Sequence, residues 1–335
     1  QSIKETMMDV IGSTQHHDSI TGTERQHVAN DYARMIDAAM TESNAEFARL
    51  VDTYVPIEGT KFHACGVSNS TYVDCDVPAD DAFLVATYNP STVYHQVQTF
   101  KVPPSEAYSV EAFDFVAETY AKVKADLLCH EYLENTEAQE STTDCELLVQ
   151  AQSMPHHFTL FQVTPEGAAN GPATSAAETI KLSDQSLTFE GVNAETSAAQ
   201  FTYTRGDASY SFDFDMRYYN PSDGASPNRA VSGAYLFVPQ MEDQGSHHYS
   251  TAKPVVESTQ GNFAAEITLT YQDADLSSYQ ATARIVEGDT TIEFEVRLLG
   301  IPLVDGKGKE VVASWTVDGL DNQDVFYTDT NGLEM

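Results

Sequence analysis

The sequence predicts an α+β chain: a helical-bundle segment followed by two mainly antiparallel β-sandwich modules. Three observations carry this. Apolar residues recur at helical spacing up to about residue 55, alternate with polar ones beyond it, and a Gly/Pro/Asn-rich stretch interrupts the alternating part. With 335 residues and 41% hydrophobic content, the chain has material for more than one core.

The first helix is read from Ile3, Met7, Val10 and Ile11 on one face, with Gly12 as its stop. A polar loop, Ser13 to Gly22, contains Gln15-His16-His17-Asp18. The second helix is expected to begin at Thr23, because Thr23-Glu24-Arg25-Gln26 has capping-box spacing. Its stripe runs Val28, Tyr32, Met35, Ile36 and Ala39, then Phe47, Leu50 and Val51, and a helix that long needs neighbours to pack along.

From Val55 the period becomes two. Phe83 to Tyr88 ends at Asn89-Pro90, which stops a strand. Tyr210, Phe212, Phe214 and Met216 alternate with polar residues, as do Ala265, Ile267, Leu269 and Tyr271, and Ile292, Phe294, Val296 and Leu298. Each strand is expected to have one apolar and one wet face. Glu287-Gly288-Asp289 is a turn, and Glu166 to Ser175 a linker. The organisation expected is 1–55 helical, 56–165 a small β-sandwich and 166–335 a larger one, incomplete at its C-terminal end.

Fifty-one acidic against 17 basic residues give a net charge of −34, which repels phosphate backbones and anionic lipid heads. No apolar run approaches the ~18 residues of a membrane span. Nucleic-acid and membrane partners are therefore not expected. The opening at Gln1, followed by Lys4, Glu5 and Asp9, does not read as a signal peptide, and a piece of a longer chain is expected.

The four cysteines form two pairs close in sequence, Cys65 with Cys75 and Cys129 with Cys145, and the glycosylation pattern Asn69-Ser70-Thr71 lies inside the first. Both features suit a secretory or lumenal compartment; the alternative is four reduced, buried cysteines and a fortuitous sequon. The expectation is two disulfides, Cys65–Cys75 and Cys129–Cys145, and a glycan on Asn69.

Of three His-His pairs, His156-His157 and His247-His248 read as surface or loop residues without a carboxylate cluster nearby. His16-His17-Asp18 sits in a capped loop, where structural His and Asp are common. The longer string Gln15-His16-His17-Asp18-Ser19-Ile20-Thr21-Gly22-Thr23, followed by Gln26-His27-Val28-Ala29-Asn30-Asp31-Tyr32, resembles the signature of glycoside hydrolase family 38 α-mannosidases, most closely the lysosomal, acid-acting branch. The Cys65–Cys75 segment, Tyr88-Asn89-Pro90, Ser232-Gly233-Ala234-Tyr235-Leu236-Phe237 and Phe326 to Gly332 resemble that family in the same order.

The resemblance implies a retaining, zinc-dependent hydrolase that removes terminal α-mannose from oligosaccharides, lysosomal or secreted. It makes His17 a zinc ligand, and Asp18 and Tyr235 contacts to the sugar. In that family the other zinc ligands, the nucleophile and the acid lie upstream in an α/β domain. No catalytic residue is therefore assigned to this chain, and a companion chain carrying that domain is expected, with a homo-oligomer left open. The competing reading is a non-catalytic carbohydrate-binding or structural β-sandwich subunit; zinc content separates the two. Tyr235 and His17 are expected to face one cleft, the small residues 232–234 permitting close approach, whereas a core strand position is the alternative for Tyr235.

Overall fold

The computed structural model describes residues 2–55, 57–67, 73–74, 77–78, 80–135, 140–167, 174–224, 230–233, 235–240, 245–272, 278–298, 300–301, 303, 305–321, 323 and 325. The chain is α+β, with two helices followed by antiparallel sheets among the described residues. Its contacts divide it into two compact units, 1–173 with 222–238, and 174–221 with 239–335.

In the first unit, α1 (Ile3–Thr14) starts on a complete capping box: the Ser2 side chain accepts from the Glu5 amide, and the Glu5 carboxylate accepts from the Ser2 amide. Gly12 lies inside α1 rather than ending it, and Gln15 forms the cap. The helix tolerates that glycine at about 1 kcal/mol relative to alanine. Helix α2 (Gln26–Tyr54) begins three residues later than expected, with Arg25 at its N-cap and no side-chain cap bond. The capping box read at Thr23 does not form, because the Thr23 hydroxyl is engaged by Asp18.

The short strands β1 (Gly66–Val67) and β2 (Val73–Asp74) pair with each other. Six more strands follow: β3 (Phe83–Tyr88), β4 (His95–Val102), β5 (Ala107–Asp114), β6 (Thr119–Asn135), β7 (Glu140–Ser153) and β8 (Phe158–Glu166). They form one sheet in the order β3-β8-β5-β6-β7-β4. Strand β6 pairs with β5 through residues 119–123 and with β7 from Lys124 onward. The Thr87 hydroxyl of β3 donates to the Gln98 carboxamide of β4, so the two edge strands meet. The sheet thus folds over a single core that includes Val110, Leu127, Leu147, Val149, Phe161 and Val163. Its outer face takes the end of α2, where Val51 and Val55 pack on Leu160, Phe113 and Phe158.

Cys129 and Cys145 stand opposite each other in β6 and β7 and form the expected disulfide. Cys65 is also disulfide-bonded; its expected partner Cys75, and Asn69, lie outside the described residues.

The second unit is a sandwich. One sheet contains β9 (Thr179–Leu182), β10 (Gln185–Val192), β11 (Ala199–Arg205), β12 (Ala208–Tyr219), β13 (His247–His248) and β18 (Glu310–Val317); the other contains β14 (Val255–Gln260), β15 (Ala264–Tyr271), β16 (Tyr279–Val286) and β17 (Glu293–Leu298). Phe201, Phe212 and Phe214 from the first sheet meet Ile267, Leu269 and Phe294 from the second. The alternation expected for 210–217, 265–271 and 292–298 gives most of this core, while Tyr210 and Leu298 are exposed instead, and Gly288 at φ +85° makes the expected turn between β16 and β17. Strand β15 departs from the one-wet-face expectation. Glu266 and Thr268, on its other face, are buried, with Glu266 paired to Arg284 at 3.1 Å and Thr268 bonded to Thr282 at 3.0 Å. His247 and His248 are half-buried in a strand rather than loop residues: His248 Nδ1 lies 3.0 Å from the Asp215 carboxylate, which also holds Arg217 at 2.8 Å.

Candidate functional site

The connection between the two helices is a chain of turns. His16 N–H donates to the Ser13 carbonyl, Ser19 and Ile20 N–H to His16, and Gly22 N–H to Ser19. Gly22 adopts φ +65°, a left-handed conformation that a residue with a Cβ pays for. The Thr23 amide then closes the loop on the Asp18 carbonyl at 2.9 Å.

This winding brings His16, His17 and Asp18 together, with one ligand atom from each within 4.8 Å of the others. The Asp18 Oδ2 atom lies 3.4 Å from His16 Nε2 and 3.6 Å from His17 Nε2. The two imidazoles lie 4.3 Å apart, centre to centre. His17 presents 83% of its side chain to solvent and Asp18 29%.

The other carboxylate oxygen faces hydroxyls. Thr23 Oγ1 donates to Asp18 Oδ1 at 2.9 Å, and the Tyr235 hydroxyl donates to the same atom at 3.3 Å. The Thr23 hydrogen bond is the chief cause holding the Asp18 carboxyl below the ordinary range. Partial burial opposes it, and the two histidines and Tyr235 add to the lowering.

Tyr235 is brought in by an excursion of the chain. Ser222 and Val238 join its ends by a main-chain bond of 2.7 Å, and Ser232 Oγ braces Val238 at 2.8 Å and 2.9 Å. Gly233 and Leu236 pair across the tip, leaving Tyr235 in a turn and 79% exposed. It is not a core strand residue. The close approach expected of the small residues does not occur at Gly233, where a Cβ would meet open space. The turn itself presents the ring.

A donor set of two imidazoles and a carboxylate suits a borderline cation such as zinc. The separations of 3.4 and 3.6 Å are near the ~3.3 Å edge of a tetrahedron with bonds of ~2.0–2.1 Å. The residues present therefore fit a metal, with coordination positions left for donors beyond these three. Sequence reasoning assigned His17 and Asp18 but gave His16 no role and gave Thr23 to the helix. The signal for His16 was its adjacency to His17; the Thr23–Asp18 spacing carried no signal of its own.

No protein-family model matches the chain. Among curated proteins it is 24% identical to the lysosomal alpha-mannosidase of Dictyostelium discoideum, over 98% of this chain and 34% of that protein. The alpha-mannosidase of Canavalia ensiformis is 22% identical over 98% of this chain and 35% of its own length. The human lysosomal alpha-mannosidase is 26% identical over 96% and 31%. The chain is similar in sequence to α-mannosidases over nearly its whole length. It spans about a third of the length of these curated relatives. A solved alpha-mannosidase from Enterococcus faecalis V583 aligns with 88% of this chain and 36% of its own chain, at a TM-score of 0.46 and 12% identity.

Proposed function

We propose that this chain is part of a retaining, zinc-dependent glycoside hydrolase that removes terminal α-mannose from oligosaccharides in a lysosomal or secreted setting. The nucleophile, the acid and the remaining metal ligands come from a region outside this chain, an α/β domain in the same protein or a companion chain. The observation that carries the reading is the meeting of Tyr235 with Asp18 beside two imidazoles, 217 positions apart in sequence, in a chain similar to α-mannosidases.

In this reading His17 is a metal ligand, and neutral imidazole is the form that binds. A bound zinc ion would supply a positive charge to hold vicinal sugar hydroxyls. Asp18 accepts a hydrogen bond from a mannose hydroxyl, and the Tyr235 oxygen, whose proton is given to Asp18, accepts from a neighbouring hydroxyl. A carboxylate and a phenol side by side match the alternating donors and acceptors of a polyol. Two carboxylates from outside the chain then provide retaining chemistry.

The test is metal analysis of the full-length protein together with hydrolysis of p-nitrophenyl α-mannoside. His17→Ala should lose both zinc and activity while the sheets stay folded by circular dichroism. Zinc retained at the wild-type stoichiometry in that variant overturns the assignment.

A further inference from the structure

We infer that Thr23 is a positioning residue: its hydroxyl fixes the rotation of the Asp18 carboxylate, so that one oxygen is held by hydroxyls and the other is kept facing the imidazoles. This rests on the sugar-binding role proposed for Asp18 and extends it to a residue that touches neither sugar nor metal.

Other work for the Thr23 hydroxyl is already done by other atoms. The loop is closed by the Thr23 amide on the Asp18 carbonyl, a main-chain bond that needs no side chain. Helix α2 has Arg25 at its N-cap, so the hydroxyl does not cap it. What remains are a 2.8 Å contact with the Thr21 hydroxyl and the 2.9 Å bond to Asp18 Oδ1.

Counting protons fixes the direction of that bond. The Thr21 oxygen lies within bonding distance of the His17 carbonyl and 2.8 Å from the Thr23 oxygen, which in turn reaches Asp18. Three contacts share two hydroxyl protons. The carboxylate is the charged acceptor among them, so it takes the Thr23 proton, and Thr21 serves either His17 or Thr23. With Thr23 and Tyr235 both on Oδ1, Oδ2 stays toward His16 and His17. Tyr235 stands on an exposed turn and its bond is longer, so Thr23 is the firmer of the two holds.

The test is binding of methyl α-mannoside to the full-length protein by calorimetry, with zinc content measured in parallel. Thr23→Val, which keeps the shape and removes the hydroxyl, should weaken binding roughly tenfold, the loss of one hydrogen bond to a charged group. Thr23→Ser should bind within about twofold of wild type. In an Asp18→Asn background, Thr23→Val should cost less than about twofold more, because the hydroxyl acts through the carboxylate. Wild-type affinity in Thr23→Val while Asp18→Asn binds poorly overturns the positioning role and leaves the sugar-binding reading standing. Equal losses in Thr23→Ser and Thr23→Val overturn it as well. Wild-type affinity in Asp18→Asn overturns the sugar-binding reading and this inference with it. Should Thr23→Val not fold, Thr23→Ala against Thr23→Ser applies the same criteria.

Discussion

Replacing both Cys129 and Cys145 by alanine removes a covalent tie from the middle of the first sheet. The two cysteines are directly opposite in β6 and β7, 16 positions apart, with Cys145 buried beside Leu147 in the core. Releasing a loop of that size restores about 3 kcal/mol of conformational freedom to the unfolded chain. Emptying the volume of the sulfurs adds about 1 kcal/mol. The assay is hydrogen exchange by mass spectrometry on peptides covering Leu147 to Val149, which are fully or almost fully buried. If those amides exchange by opening of the whole unit, the combined ~4 kcal/mol speeds them roughly a thousandfold. Tryptophan fluorescence is the internal control, because the single tryptophan, Trp315, lies in β18 of the second unit. Reducing agent is a poorer perturbation, since it also opens the disulfide at Cys65. Acceleration of less than about fivefold would show that the hairpin is held by its ladder and core, and that the cross-link adds little.

Tyr235→Phe in the full-length protein should lower kcat/KM on an α-mannoside by roughly 1–2 kcal/mol, with an unchanged melting temperature because the ring is exposed; a fall in melting temperature would mark a structural role. Val51→Ala, which empties the contact between α2 and the outer face of the sheet, should cost about 2 kcal/mol in thermal unfolding, against less than ~0.5 for the exposed Tyr54. Burial pushes the Tyr108 and Tyr271 phenols up to about 12, and the Asp215 charge adds to the second while the Tyr279 hydrogen bond opposes it. A raised phenol favours the fold fully below the unfolded value near 10, and that contribution is lost as pH rises from about 10 to about 12. Absorbance at 295 nm should therefore show two phenols ionising late, together with loss of circular dichroism; full ionisation of all tyrosines by pH 11 in folded protein would contradict it.

The strands of the second unit were legible because alternation is local: residues 265–271 announce an apolar face whatever they pack on. That Glu266 would be buried on the opposite face was not legible, because the ion pair with Arg284 depends on β16 lying alongside. The doubled use of β6 was hidden for a similar reason, since a long apolar-alternating run does not say where its partner changes. At the site, His17 and Asp18 drew notice through a contiguous string. Thr23 was misplaced because a threonine three residues before a glutamine has the same spacing whether its hydroxyl caps a helix or holds a carboxylate. The expectation was that Tyr235 and His17 face one cleft, drawn from the family resemblance and the small residues 232–234; the hydrogen bond from Tyr235 to Asp18 was not legible, since no periodicity reaches across 217 positions.

The excursion that carries Tyr235 also governs how the gene can be divided. Residues 222–238 leave the second unit after β12, join the first, and return before β13, so the chain passes between units three times. Neither unit is a continuous reading frame. A truncation near residue 173 yields the loop of His16 to Asp18 without Tyr235, and the complementary piece carries Tyr235 without its acceptor. Any attempt to express, swap or evolve the units separately has to move that seventeen-residue segment as a graft, or it divides the candidate site at the level of the open reading frame.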